Sequence, residues 1–234
     1  MNAKRGFLPE DTRNFSPESL QKLRTASRHI SYLVNEGYDL KQAATFVGNH
    51  FLLSERQRLA VMRSTATREQ LEARKKKQTD LGGISGRDVW IDGFNTIITL
   101  EVMLSDSVLF TCMDGTVRDL AALRGTYRVI PETAGAVTMM FEVLAGARAR
   151  KAVVLLDEPV SNSGRLKSLI DDIGEAFPLD LDIQILRDVD RSLYGKELVI
   201  TSDSIILDHC ISWVNLGAEC MERLGLEGLR VFPQ

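Results

Sequence analysis

A chain of 234 residues, 44% hydrophobic and 26% charged, is long enough to bury a substantial core as one large domain or two small ones. No apolar run reaches the roughly 18 to 20 residues of a membrane helix, and residues 1–10 carry no apolar stretch behind two basic residues, so a cytoplasmic location is expected. The net charge of −3 is unevenly divided: residues 1–80 hold 15 Lys and Arg against 9 Asp and Glu, the remainder 14 against 23, so a +6 segment precedes a −9 body.

In chain order, the first 80 residues read as three or four short helices. Ser16 is placed to cap the first, with Pro17 at the position where its missing N–H costs nothing, and Leu20, Leu23, Ile30 and Leu33 mark its apolar face as far as Gly37. Asp39 and Gln42, Ser54 and Gln57, and Thr67 and Gln70 then repeat the spacing of a capping box. The last of these helices carries the run Arg74, Lys75, Lys76, Lys77. Three glycines and a serine within 81–86 mark a boundary, beyond which the period changes. Apolar runs of strand length at 89–91, 108–112, 152–156, 183–186 and 198–200 alternate with helical stretches such as 134–147 and 166–177. Continuous apolar strands alternating with helices predict an α/β domain over 86–234 with a parallel sheet covered on both faces. The glycines predict that this domain separates from the helical module of residues 1–80. Cys112, Cys210 and Cys220 lack metal-ligand spacing and lie among apolar neighbours, which predicts buried free thiols.

In a doubly wound sheet, ligands bind at the carboxyl ends of the strands, and three aspartates directly follow apolar runs there: Asp92, Asp157 and Asp203. One such residue is explained by a turn or a helix cap. Three gathered at one end repel one another unless a cation lies between them, and hard oxygen ligands suit Mg²⁺ or Mn²⁺.

Asp92-Gly93-Phe94-Asn95 resembles the Asp-Gly-x-Asn opening of NYN nuclease domains, and Thr201-Ser202-Asp203-Ser204 is similar to the late Thr-x-Asp segment of PIN domains. The resemblance implies a PIN-like, Rossmann-like fold in which Asp92 and Asp203 bind metal, Asn95 supports the site and Asp157 occupies the intermediate strand end. It also implies a further acid, for which both Asp114 and Asp119 are candidates. From Asn35-Glu36-Gly37-Tyr38 and Val47-Gly48-Asn49-His50 to the loop at 157–164, the chain resembles a prokaryotic two-part family, domain of unknown function 434 followed by a PIN-like unit.

Other motifs compete. Leu155-Leu156-Asp157-Glu158-Pro159 is similar to the Walker B segment of transporter ATPases, yet the chain has no GxxxxGK[ST] loop. Met113-Asp114-Gly115-Thr116 is similar to the haloacid-dehalogenase motif, but Cys112 stands where its nucleophilic aspartate is required. Asp188-Val189-Asp190 offers the acid pair of a Toprim site without the companion glutamate. Ser161 and Ser163 can either cradle a phosphate or form a plain turn before a helix. Arg56, Arg58 and Arg63, with Arg74, Lys75, Lys76 and Lys77, are the candidate contacts to a nucleic-acid backbone.

The expected function is divalent-metal-dependent phosphodiester hydrolysis, with RNA as the substrate the resemblance favours over DNA and no membrane partner. A catalytically inactive nucleic-acid-binding protein using 40–47 and 54–63 as a helix-turn-helix pair is one alternative. A small-molecule phosphatase on the same sheet is the other, and salt dependence of binding separates the two.

Overall fold

The computed structural model describes residues 4–121 and 125–233. Its N-terminal part comprises α1 (Asp11–Asn14), α2 (Pro17–Asn35), α3 (Leu40–His50), α4 (Glu55–Ser64) and α5 (Arg68–Lys77). The start signals act as their chemistry requires. Ser16 accepts from the Ser19 amide ahead of Pro17, and Asp39 from the Gln42 amide, while Ser54 with Gln57 and Thr67 with Gln70 form complete capping boxes. Leu23, Ala26, Ile30 and Val34 of α2 share one apolar cluster with Ala43, Ala44 and Val47 of α3 and Ala60 and Val61 of α4. The α3–α4 connection is only residues 51–54, shorter than the sequence suggested, because α3 continues to His50.

After a 3-10 turn at Leu81–Ile84, the chain alternates. The elements are β1 (Asp88–Asp92), α6 (Gly93–Leu104), β2 (Leu109–Thr111), β3 (Val117–Asp119), α7 (Pro131–Gly146), β4 (Lys151–Asp157) and α8 (Ser163–Gly174). There follow β5 (Asp180–Leu186), α9 (Val189–Leu193), β6 (Val199–Ile200), α10 (Ser204–His209), β7 (Trp213–Val214) and α11 (Leu216–Arg223). Five strands form one parallel sheet in the order β5-β4-β1-β6-β7. Both of its faces are covered, and the strand period of two sorts the side chains. Ala152, Val154 and Leu156 of β4 join α6, α7 and α8 in one cluster, and Val153 and Leu155 join α9 and α10 in another. All three cysteines are buried and unbridged, and no described helix is long and apolar enough to cross a membrane.

The apolar run at 108–112 does not enter this sheet. It forms β2, which pairs antiparallel with β3, a strand the sequence pattern did not reveal. This hairpin joins the two parts of the molecule, because Phe110, Cys112 and Leu120 belong to the apolar cluster of the helical module, and Phe15 meets Phe110 edge to face at 5.1 Å. The expectation that the two parts fold separately is corrected by this shared core, since cutting at the glycines would expose Phe110 and Leu120, which are at most 2% accessible.

Arg74 reinforces the junction. Its side chain is 2% exposed, pairs with Asp114 and Asp208 at 2.7 Å each, and donates to the Ser204 carbonyl, while its own carbonyl accepts from the Trp213 indole. Arg74 is therefore an internal ion-pair residue and not a contact to nucleic acid. Arg74→Ala should destabilise the protein by about 1–3 kcal/mol, because it leaves the buried Asp114 with Arg118 alone and removes the partner of Asp208. Lys75→Ala and Lys76→Ala, on exposed side chains, should change stability by less than about 0.5 kcal/mol in the same urea titration.

Gly93 sets how closely α6 starts against β4. A β-carbon there would lie 2.7 Å from the Leu155 carbonyl oxygen and 2.6 Å from a Leu156 methyl, and the former belongs to a sheet backbone that cannot move aside. Gly93→Ala should lower stability by about 1–3 kcal/mol in urea denaturation.

Candidate functional site

In order of appearance along the chain, the five parallel strands lie 3-2-1-4-5 across the sheet, so successive connections run one way from β1 and the other way from β6. The crevice at the carboxyl ends of strands flanking such a reversal is where doubly wound sheets bind ligands. A cleft of about 480 Å³ opens there, and Asp92, Asp157 and Asp203 all line it, together with Asn95, Asp119 and Asp190. Asp92 ends β1, Asp157 ends β4 and Asp203 follows β6 by three residues.

Each is held differently. Asp92 is buried and its Oδ2 accepts from the Thr201 hydroxyl at 2.8 Å. Asp203 caps α10, its Oδ1 accepting from the amides of Ile205 and Ile206 at 2.8 and 3.2 Å, so the helix-cap and cleft-acid readings of this residue coexist. Asn95 Oδ1 accepts from both the amide and the hydroxyl of Ser202, which leaves its amide N–H groups available to a ligand. Asp119 accepts from the Thr99 hydroxyl and the Ala121 amide, each at 2.7 Å.

The cleft is electrostatically strained. Burial, and then the charges of Asp203, Asp190 and Asp157, push the Asp92 carboxyl up to about 7 despite the Thr201 hydrogen bond. Burial likewise raises Asp157, with Asp188 adding to it, and raises Asp190, with Asp203 and Asp157 adding to it. The cations of the lining are Arg63 and Arg118. Arg118 is fully engaged with Asp114, the Ser202 carbonyl and the Arg63 carbonyl. Arg63 donates to the Asp119 carbonyl and keeps a side chain 35% exposed at the cleft.

Of the two alternative acids, Asp119 lines the cleft and Asp114 does not. Burial would raise Asp114, but Arg118, the Thr116 hydroxyl and Arg74 more than offset it and hold it below the usual range. Its 1% exposed side chain is a structural counter-ion. The phosphate-cradle reading of the 161–163 turn is also corrected, because Ser163 is buried with its hydroxyl within 2.6 Å of the Asp157 and Val160 carbonyls, and Ser161 lies outside the cleft lining. Arg56 pairs with Asp11 and the Leu120 carbonyl, and Arg58 binds Leu53, Thr45 and Asn49. Lys77 donates to the Asp208 carbonyl, and Lys75 and Lys76 are exposed on α5 outside the cleft. Arg56 and Arg58 are thus engaged within the chain, so neither stands on α4 as a free cation of the helix-turn-helix kind. Asp190 and Ser202 also line the cleft; the sequence offered Asp190 only within the Toprim-like Asp188-Val189-Asp190 pair and Ser202 only within the Thr201-Ser202-Asp203-Ser204 segment, although Asp190 follows β5 as the other acids follow their strands.

The donors fit a hard divalent cation in kind, being carboxylates whose mutual repulsion is only partly relieved by the hydrogen bonds around them. Among the described residues, no three His, Cys, Asp or Glu side chains form a ready-made ion cage. The cleft offers charge and open lone pairs in place of a preassembled site.

Because the folded pKa of Asp92 lies above the ordinary 3.8, the native state holds a proton that the unfolded chain releases. The associated stability is complete below pH 4 and is lost as pH rises towards 7. In metal-free buffer, Asp92→Asn should therefore be more stable than wild type at pH 8, by on the order of 2–4 kcal/mol, and equal to it at pH 4. A urea titration at both values measures this.

Residues 22–77 match the family described as Protein of unknown function (DUF434), and residues 81–219 match Domain of unknown function (DUF5616). An uncharacterized protein of Methanocaldococcus jannaschii is 33% identical over 204 residues, which cover 86% of this chain and 98% of that protein. No solved structure matches the chain. The two matched segments meet between residues 77 and 81, at the end of α5, and together with the full-length relative they establish that the chain belongs to the DUF5616 family, with a DUF434 segment ahead of it.

Proposed function

We propose that the α/β part is a PIN-like, divalent-metal-dependent phosphodiesterase that acts on RNA. The observation that supports this most strongly is the gathering of Asp92, Asp157 and Asp203, each at or just beyond a strand's carboxyl end, around one cleft at the reversal of the sheet. Those three side chains would hold Mg²⁺ or Mn²⁺, with Asp119 and Asp190 adding negative charge at the rim. When bound, such an ion supplies Lewis acidity at a phosphoryl oxygen and a nucleophilic water at neutral pH.

The chain's own residues supply the rest. Asp92 holds a proton up to about pH 7 and must release it to act as a ligand, so affinity for the ion should rise with pH through neutrality. Thr201 fixes the Asp92 carboxylate, and Asn95, anchored on Ser202, presents its amide to a ligand oxygen. Arg63, the cleft cation with its side chain 35% exposed, is placed to meet a phosphate among the carboxylates. RNA is favoured over DNA by resemblance to the PIN and NYN families alone.

Asp203 tests the reading, because its two roles separate by substitution. Asp203→Asn keeps the Oδ1 that caps α10 and removes a charge, so the metal-free variant should melt no lower than wild type. Asp203→Ala loses the cap as well and should cost about 1 kcal/mol. Both should lose the thermal stabilisation that Mn²⁺ gives wild type, together with cleavage of single-stranded RNA. Stabilisation by Mn²⁺ equal to wild type in both variants would sink the reading.

A further inference from the structure

The cations that the sequence offered for nucleic-acid binding are largely turned inward, yet the helical module exposes large aromatic rings on one face beside an exposed arginine. Tyr32 of α2 is 65% exposed and Phe46 of α3 is 73% exposed, although the neighbouring residues Ile30, Val34, Ala44 and Val47 are buried in the module's core. The two rings flank a groove of about 440 Å³ whose other lining residues are Arg28, His29, Leu33 and Val47. Arg28 stands one helical turn before Tyr32 and is exposed, and His29 is backed by Phe51, 5.4 Å away and edge to face. No carboxylate lines the groove, and it shares no residue with the acidic cleft.

We infer that this α2–α3 groove binds single-stranded nucleic acid, with Tyr32 and Phe46 stacking on unpaired bases and Arg28 meeting the backbone. Solvent-exposed rings beside a cation are the elements of a sequence-tolerant single-strand platform. Arg28 is exposed in a lining that holds no carboxylate, which favours a polyanion over a neutral protein surface. Bases in a duplex are already stacked on one another and cannot occupy such a groove. The inference deepens the phosphodiesterase reading by naming single-stranded RNA as the substrate class, and it assigns the helical module the task of holding a strand away from the chemical site.

The test is fluorescence anisotropy of a labelled short oligouridine with the full chain in EDTA, across a salt series, so that binding is read without hydrolysis. Tyr32→Ala combined with Phe46→Ala should weaken binding by about 10- to 100-fold, while Tyr32→Phe, which keeps the ring, should stay within about twofold of wild type. Arg28→Gln should lower the slope of log affinity against log salt by about 0.7. Duplex RNA should bind the wild type and the double variant equally. Equal affinity of wild type and double variant for oligouridine overturns the inference, as does a wild-type chain that does not bind it. A dimer in sedimentation that becomes a monomer in the double variant, with oligouridine affinity unchanged, overturns it in favour of a contact between copies. If oligouridine binds through the groove but Mn²⁺ supports no cleavage, the phosphodiesterase reading fails and the groove stands. If cleavage occurs and the groove variants bind as wild type, the converse holds.

Discussion

The Asp114 carboxylate, buried between the guanidinium groups of Arg74 and Arg118 at 2.7 Å from each, is the interaction on which the arrangement of the two parts rests. Removing such charges from water costs several kcal/mol per ion unless geometry and further hydrogen bonds compensate, and here they do. Arg74 also binds Asp208 and the Ser204 carbonyl, and Arg118 the carbonyls of Ser202 and Arg63. The network therefore joins α5, the β2–β3 turn and the loop carrying Asp203. It fixes one wall of the acidic cleft to the helical module, and α4 contributes Arg63 to that cleft from the other side of the domain boundary. The helical module is thus part of the site's construction and not an appendage to it.

The cleft itself is in tension with the fold. Parallel strands end together, so acids placed after them are forced towards one another, and burial removes the water that would screen them. Thr201 and the amides at the start of α10 relieve some of this, and Arg63 some more, but Asp92 still sits near neutrality in its titration. Destabilising groups held in place by an otherwise well-packed sheet are a recurrent feature of binding and catalytic sites. The same sheet tolerates no slack nearby, since Gly93 leaves no space for a β-carbon beneath α6.

Much of this was legible in the sequence because it is encoded locally. Ser16, Ser54 and Thr67 announce helix starts through neighbours three residues away, and Asp92, Asp157 and Asp203 announce strand ends by following apolar runs. What could not be read depends on partners distant in the chain. The run at 108–112 has the composition of a buried strand, but only the packed structure shows that it is buried against α2–α4 rather than in the main sheet. Four consecutive basic residues at 74–77 look equivalent, and nothing local says that Arg74, on the same helical face as Gln70, turns inward to Asp208. Ser163 has the composition of a phosphate loop, yet its hydroxyl closes the turn by bonding the backbone. The exposed rings of Tyr32 and Phe46 were hidden for a related reason, because apolar residues in an amphipathic helix are ordinarily assigned to the core.

In the proposed function, the strand-end carboxylates converge on one divalent ion. A crystal of the full chain soaked in Mn²⁺ at pH 8, with data collected at the manganese absorption edge, tests it most directly. An anomalous peak is expected in the cleft within bonding distance of Asp92, Asp157 and Asp203 oxygens. A fully soaked crystal with no peak there, or with its strongest peak elsewhere on the molecule, would contradict it.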